Sequence, residues 1–257
     1  MKTKILLLII LLVFSLPILA QDKSDDDNDW ERTTKIKVGG AGGVTPIAAF
    51  FNNNELDKSL KAVGLPALGS DPIYLVGGEG YGYIMFLKNV RMGGGAVSGS
   101  KTVSAIQNLG GGVSMKKDVE YSVSYGGFLI DYVLPIQDRL DIAAGFTIGG
   151  GNINLKMTRD DNSLKVWDSV WNDYGNINSQ TRNYTRNLNG SFGVFNPHIN
   201  IEYAILRWLQ LRVGVGYPIM YSPEWTFDEK FTLNSVPSKV KTNGYTINAG
   251  IMFGFFN

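Results

Sequence analysis

Apolar and polar residues alternate with a period of two along most of the chain after residue 32, and Gly, Tyr, Ile and Val dominate the alternating runs. This period is typical of β-strands, whose successive side chains point to opposite faces. Clusters of Asn, Asp, Ser, Gly and Pro separate the runs. The pattern predicts eight strands, at residues 33–45, 72–87, 90–103, 117–135, 139–158, 186–206, 208–224 and 240–256.

The connections between these strands alternate in length. Residues 87–90, 135–140 and 205–209 leave room only for tight turns, whereas 46–71, 104–116, 159–185 and 225–239 are long. Strands joined by tight turns are antiparallel. The sequence therefore predicts an all-β fold: an antiparallel up-and-down eight-stranded β-barrel with short helices in the long loops.

In this layout the chain resembles the small eight-stranded outer-membrane β-barrel proteins of Gram-negative bacteria. The resemblance covers nearly the whole chain after the N-terminal leader, is architectural, and carries no family-specific motif. It implies an outer-membrane location, contact with outer-membrane lipid, and a lumen filled by side chains. The chain departs from the pattern at its end, where Asn257 follows Phe255 and Phe256 and such barrels usually end on an aromatic residue.

The last three predicted strands separate an apolar face from a small or polar face. From Tyr245 to Phe255 every second residue is apolar or aromatic, and the strands at 186–206 and 208–224 divide in the same way. At ~3.3 Å per residue and ~40° tilt, the 245–255 face spans about 25 Å, the height of the apolar band of a membrane barrel. We expect these faces to meet lipid.

Two charged residues lie on the opposite, inward-facing parity of these strands. A turn centred on residues 206–208 places Glu202 opposite Arg212, where the two charges neutralise each other inside the lumen. The alternative is a solvated pair on a half-exposed sheet. The predicted interior polar network comprises Glu202, Arg212, His198, Asn200 and Gln210.

The middle strands do not keep their apolar residues on one parity. The parity changes at Gly126-Gly127 and again at 149–151, which we interpret as matched bulges that bend the sheet. A sheet whose apolar face changes partway along can enclose an apolar core in one of its halves. A soluble secreted or periplasmic barrel or sandwich that binds a small apolar ligand therefore remains an alternative. The register of 72–87 against 90–103, and with it any pairing of Glu79 with Arg91, stays open.

Two of the long loops carry helical patterns. Residues 52–66 have an Asn-rich start, apolar residues on one face, Gly64 at the stop and Pro66 beyond, which predicts a short helix that packs on or plugs the barrel mouth. In the 159–185 loop, Trp167, Trp171 and Tyr174 recur at helical spacing. This aromatic cluster could hold a ligand or insert at a lipid interface, but packing on the barrel rim is favoured.

Composition and the N-terminus add a cellular context. Residues 1–20 read as a signal peptide, with Lys2 and Lys4 before a short apolar run and Ala20 at the cleavage position. Residues 21–32 read as an acidic disordered leader, which leaves 33–257 as one β-barrel domain. Loss of Lys2 and Lys4 takes the formal charge from +1 to −1, which gives no general attraction to nucleic acid. The chain has no cysteine, so neither a disulfide nor a lipoprotein anchor is expected.

Candidate chemistry is sparse. His198 is the only histidine, and outer-membrane lipid deacylases, which are similar in architecture, have a serine two residues after the histidine where this chain has Asn200. The glycine clusters lack the spacing of a phosphate loop. We therefore predict no catalysis, no metal and no cofactor. The expected function is a monomeric outer-membrane barrel of structural, adhesive or surface-interaction type without a wide pore, whose partners are membrane lipid and a surface or small apolar ligand.

Overall fold

The computed structural model describes residues 39–110, 113–161, 166–175, 183–237 and 243–256. The predicted signal peptide (1–20), the predicted leader (21–32) and residues 33–38 of the first predicted strand lie outside this part of the chain. Among the described residues, no helix has both the length and the apolar character needed to cross a membrane.

The described ranges contain eleven strands and two helices. They are β1 (Gly39–Val44), β2 (Ile47–Phe51), α1 (Asn54–Ala62), β3 (Ile73–Tyr83), β4 (Val90–Gly110), β5 (Val113–Gln137), β6 (Leu140–Asp160), α2 (Trp167–Gly175), β7 (Tyr184–Leu206), β8 (Leu209–Gly216), β9 (Ile219–Phe227), β10 (Phe231–Thr232) and β11 (Gly244–Phe256). Strands β1 and β2 form one barrel strand, interrupted before Pro46, and β8 and β9 form another, interrupted before Pro218. Proline has no N–H to give to a ladder, which accounts for both interruptions.

These segments form a closed antiparallel ring of eight barrel strands. β11 pairs with β1 and β2 on one side and with β8 on the other, so the last strand joins the first. The remaining neighbours follow chain order from β3 to β8, and every pairing is antiparallel. The predicted eight-stranded up-and-down barrel is confirmed.

The ring has two different halves along its axis. Near the short turns the outward side chains are apolar and exposed, including Ile199, Val213 and Ile251. Near the long loops most outward side chains are polar, with exceptions such as Tyr74, Val76 and Ile106. The buried inward side chains there are apolar: Leu75, Val103, Val119, Tyr121, Val123, Ile153, Leu155, Phe192 and Val194. The outward apolar band is what lipid requires, and the other half is a water-exposed barrel around a packed core.

The predicted bulges in the middle strands are wrong. The β5–β6 ladder pairs Gly126 with Gly150 and Gly127 with Gly149, and its register does not shift between Lys116 and Pro135. Odd-numbered residues of β5 face inward throughout, from Val119 to Val133. The apolar residues change parity because the solvent outside the barrel changes from lipid to water, while the backbone continues unbroken.

The predicted loop at 104–116 is also wrong. β4 and β5 stay paired as far as Gly110 and Val113, with one register shift after Asn108. Most outward residues here, such as Ser104 and Lys116, are polar because they meet water, whereas Ile106 is an apolar exception. The polar residues made these two strand ends resemble a loop. From residue 113 to 125, β5 rises roughly 30 Å beyond the apolar band at ~3.3 Å per residue and ~40° tilt.

Helix α1 and the segment after it close the long-loop end of the core. Leu65 N donates to Leu60 O and Gly64 N to Lys61 O, the hydrogen-bond pair of a Schellman motif, with Gly64 at φ 78°. The turn directs Leu60, Leu65 and Leu68 into the core. Lys101 Nζ on β4 donates to Leu68 O at 2.7 Å and fixes the segment to the barrel wall. The helix expected within 52–66 is thus present, and it plugs the mouth.

The outward face of β5 provides a test of the apolar band. Ile130→Arg places a cation against lipid and is expected to destabilise the protein by about 2–4 kcal/mol. Ser122→Arg, eight residues away on the same face, lies in the water-exposed half and is expected to change stability by less than about 0.5 kcal/mol. Urea unfolding in lipid vesicles measures both, and equal losses for the two variants would contradict the position of the band.

Candidate functional site

The residues predicted to form the interior network lie in the lumen at the level of the lipid band. Glu202 on β7 pairs directly with Arg212 on β8, and Arg212 Nε lies 2.7 Å from Glu202 Oε1. The contact is an ion pair and lacks the alignment of a hydrogen bond. Glu202 is 0% and Arg212 2% exposed. These buried charges belong to a larger assembly, with Arg91 at its centre.

Arg91 on β4 binds two carboxylates at once. Its Nε and Nη2 donate to Asp131 Oδ2 at 2.9 and 2.7 Å. Its Nη1 and Nη2 donate to Glu202 Oε2 and Oε1 at 2.7 and 2.6 Å. Arg91, Asp131 and Glu202 are all 0% exposed. One guanidinium therefore joins β4 to the neighbouring β5 and, across the lumen, to β7 through charge-assisted hydrogen bonds.

His198 contacts the second carboxylate oxygen of Asp131, the one that Arg91 does not bind. His198 Nε2 lies 2.8 Å from Asp131 Oδ1, and Nδ1 lies 3.2 Å from the carbonyl oxygen of Asn196. A carboxylate oxygen accepts hydrogen bonds, so the contact with Asp131 is satisfied when His198 Nε2 is the donor. In the ladder Gly145 stands between Asp131 and His198, and a Cβ there would overlap Asp131 Oδ1. The glycine makes room for a hydrogen bond that crosses a whole strand.

Aromatic and amide groups surround the charges. Gln210 Nε2 donates to Glu202 Oε2 at 3.0 Å, and Tyr81 Oη donates to Gln210 Oε1 at 2.8 Å. The Arg91 guanidinium lies 3.9 Å from the centre of the Tyr81 ring, within cation–π range. Arg212 also contacts Glu79 on β3. The network thus reaches β3, and Glu79 pairs with Arg212 and not with Arg91.

The remaining predicted residue, Asn200, belongs to a second polar group beside the charges. Asn248 Nδ2 donates to Asn200 Oδ1 at 3.0 Å across Gly214, where a Cβ would overlap the Asn200 side chain. A cavity of ≈ 40 Å³ adjoins this group. Thr45 Oγ1 and Asn248 Oδ1 line it and have no hydrogen-bond partner among the described residues. A polar cavity of this size accommodates water.

Asp131 and Tyr81 were missed by the sequence analysis, which considered Arg91 only as a possible partner of Glu79. The β4–β5 ladder pairs Arg91 directly with Asp131 and continues as far as Gly110 and Val113. The signal was present in the glycine run at 110–112, which would have placed these residues opposite each other on the inward parity. Within the part of the chain that the structure describes, no group of three or more His, Cys, Asp or Glu is arranged to bind a metal ion.

The predicted aromatic cluster lies on helix α2, in the connection between β6 and β7. The Trp167 and Trp171 ring centres are 5.8 Å apart, and those of Trp171 and Tyr174 are 6.3 Å apart. Trp167 is 75%, Trp171 57% and Tyr174 84% exposed. The neighbouring Val166 and Val170 are each about half exposed. The favoured packing on the barrel rim is therefore wrong: the rings pack on one another and face solvent.

Comparisons with known proteins find similarity at the level of fold. No protein-family model matches the chain, and no curated protein sequence does. Among solved structures, it is similar to a major outer membrane protein of Thermus thermophilus (9% identity, 84% of this chain and 99% of the other, TM-score 0.40). It is also similar to OprG of Pseudomonas aeruginosa (10%, 87% and 98%, 0.36) and to Ail, the attachment invasion locus protein of Yersinia pestis (6%, 86% and 99%, 0.35).

The chain folds as a membrane-spanning β-barrel. At these identities and TM-scores the similarity describes the fold alone, and the outward apolar band around a closed ring is the physical basis for membrane insertion. The soluble alternative, with the apolar faces of the last three strands pointing inward, does not agree with the exposed positions of Ile199, Val213 and Ile251.

The prediction that the protein is not an enzyme is contradicted by the same comparison. The chain is also similar to the outer membrane protease OmpT of Escherichia coli, with 6% identity over 92% of this chain and 99% of the protease and a TM-score of 0.33. One fold can carry unrelated functions, so the fold is no ground for excluding catalysis. The similarity itself assigns no activity to this chain.

Removal of the central cation tests the network. Arg91→Met leaves the buried Asp131 and Glu202 carboxylates without their main partner and is expected to cost about 3–5 kcal/mol of stability. Arg207→Met, in the exposed turn between β7 and β8, is the matched control and is expected to have little effect. Arg91→Met with Glu202→Gln should recover part of the loss in urea unfolding. If Arg91→Met behaves like Arg207→Met, the network does not hold the barrel together.

The space at Gly145 gives a second test. Gly145→Ala would drive a methyl group into Asp131 Oδ1 and the carbonyl oxygen of Ile130, and it is expected to destabilise the barrel by about 1–3 kcal/mol. Gly82→Ala is the control, because a Cβ at Gly82 meets nothing within 4 Å. Thermal unfolding of the two variants should separate them. Similar unfolding temperatures would mean that the close packing at Gly145 is not required.

Proposed function

We propose that the protein is a monomeric surface-interaction protein of the outer membrane, in which a barrel without a wide pore holds an exposed aromatic helix, α2, away from the cell. The observation that carries this proposal is the exposure of Trp167, Trp171 and Tyr174 on a helix connecting two strands that extend beyond the lipid band. The long loops of outer-membrane barrels face the outside of the cell. Ring closure within one chain supports the monomer.

The filling of the lumen supports the absence of a wide pore. At the level of the lipid band the guanidinium of Arg91 spans the interior from Asp131 to Glu202, and none of these side chains is exposed. At the outer level Leu75, Val123 and Ile153 fill the lumen, each 1% exposed or less. Two successive closed levels, one ionic and one apolar, oppose the passage of solutes by different physical means.

The position of α2 favours a partner outside the cell over the protein's own membrane. β6 leaves the lipid band near Gly150 and continues to Asp160, a further rise of roughly 25 Å at the usual strand geometry. This distance keeps a helix that follows β6 away from the lipid headgroups. α2 also lacks basic residues in its last turn, whereas amphipathic helices that bind membrane surfaces are rich in Lys and Arg.

The pattern on α2 fits a protein partner with an apolar groove. Trp167, Trp171 and Tyr174 follow the i, i+4, i+7 spacing of helices that bind in such grooves, and Val170 lies between them. Trp and Tyr provide large contact areas and dominate the energetics of protein interfaces. An exposed apolar stripe of this kind is uncommon on a soluble surface unless it binds something.

Bacterial cells that display the protein can be tested for attachment to beads coated with extracellular-matrix proteins. The variant with Trp167, Trp171 and Tyr174 all replaced by Ser should attach several-fold less than the wild type, because the interface loses its aromatic anchors. The control with Asp168→Ser and Asn172→Ser changes polar residues of the same helix and should attach like the wild type. Attachment independent of the aromatic residues, or attachment only to glycan-coated beads, would overturn the proposal of a protein partner.

A further inference from the structure

A second feature of the outer half is a pocket between α1 and the inner wall of the barrel. It has a volume of ≈ 320 Å³ and is lined by α1, by inward residues of β5, β6, β7 and β9, and by the connection between β10 and β11. We name it the rim pocket and define it by Leu60, Val63, Val119, Leu155, Trp225 and Val236, with their lining neighbours. It is separate from the ionic network and from α2.

The lining of the rim pocket is that of a small-molecule site. Eleven of its fourteen lining residues are apolar, three are polar and none is charged. Its floor, with Val119, Leu155 and Trp225, is buried, whereas Ser59, Val63 and Ser235 at its mouth are exposed. Protein interiors are otherwise closely packed, and an apolar concavity of this size with an open mouth is the usual form of a ligand site.

Trp225, which lines the pocket, has a buried indole N–H without a hydrogen-bond partner among the described residues. Trp225 is 6% exposed, and its indole Nε1 makes no hydrogen bond to any described residue. The position of the indole depends on Gly190 of β7, because a Cβ there would lie 2.8 Å from ring atom Cε2. A buried tryptophan N–H usually has an acceptor, and leaving it unpaired costs free energy. A ligand with one acceptor atom would remove this cost.

We propose that the rim pocket binds a neutral, mainly apolar small molecule with a single hydrogen-bond acceptor, such as a ketone, ester or alcohol, which accepts the hydrogen of Trp225 Nε1. The volume corresponds to about 15 heavy atoms at the packing density of protein interiors. The absence of charged lining residues favours a neutral ligand over a carboxylate of the same length. The proposal goes beyond the surface role of α2 and shares no residue with it.

The probe for this site is 2-octanone, with octane and octanoate for comparison. The protein is held in lipid nanodiscs, and empty nanodiscs correct for partition of each compound into lipid. Isothermal titration calorimetry should show 2-octanone binding saturably to one site, and more tightly than octane or octanoate. A wild-type titration that matches the empty nanodiscs would overturn the proposal.

Two variants assign the binding to the rim pocket. Ser59→Trp fills the mouth from the exposed side of α1 without removing a core contact, and it should weaken 2-octanone binding at least tenfold. Lys58→Trp, the neighbouring residue outside the lining, should bind like the wild type and shows that α1 tolerates a tryptophan. Equal binding by the Ser59 and Lys58 variants would place the ligand elsewhere and overturn the proposal.

Trp225→Phe tests the hydrogen bond, since it keeps an aromatic ring and removes the donor. It should weaken 2-octanone binding roughly three- to tenfold, the range of one hydrogen bond, and leave octane binding unchanged. An equal effect on both compounds would refute the proposed role of Nε1. Attachment through α2 is measured with other residues and on cells, so each proposal can fail without the other.

Discussion

The pairing of Arg91 with two buried carboxylates is the interaction on which the membrane part of the barrel depends. A ring of eight strands encloses a lumen that side chains must fill, while the side chains on its outer face contact lipid. The sequence fills this lumen with charges, each of which would be costly alone. Because Arg91 joins Asp131 to Glu202, the charges can be buried together. A slip of one residue in β4 would expose Arg91 to lipid, so the network also specifies the register.

The same strands solve the opposite problem in the outer half. Beyond the lipid band the outer face of the barrel meets water, and apolar side chains gain most by turning inward. β5 therefore changes from Ile130 and Tyr132 on its outer face to Tyr121 and Val123 on its inner face, without any change in its ladder. Glycines occupy the level where the two arrangements meet, at Gly126 and Gly150. The barrel is thus a membrane protein and a water-soluble β-structure joined end to end on continuous strands.

How far the sequence predicted this structure depended on the turns. The short connection between β7 and β8 limits the possible registers, and a turn centred on residues 206–208 places Glu202 opposite Arg212. The ladder has this pairing because its register shifts once between Ala204 and Leu206, although Leu206 itself pairs with Leu209. The β3–β4 turn has a less defined length, and the partner of Glu79 could not be derived from it. The pairing of Arg91 with Glu202 was missed because Glu202 is 111 residues away along the chain and meets Arg91 only across the closed lumen. No periodicity within a single strand carries such information.

The outer half was harder to interpret for a related reason. Sequence periodicity shows that a strand has two faces, but it does not show which solvent each face meets. Ser104 and Lys116 therefore resembled loop residues, although they are the wet side of a paired hairpin. The exposure of Trp167 could not be predicted either, because helical spacing is the same on a packed and an unpacked face. What distinguishes the faces is their neighbours, and in a closed barrel these come from distant parts of the chain. The ionic half fixes those neighbours in place, which leaves the outer half free to carry surfaces and pockets that the anchor does not need.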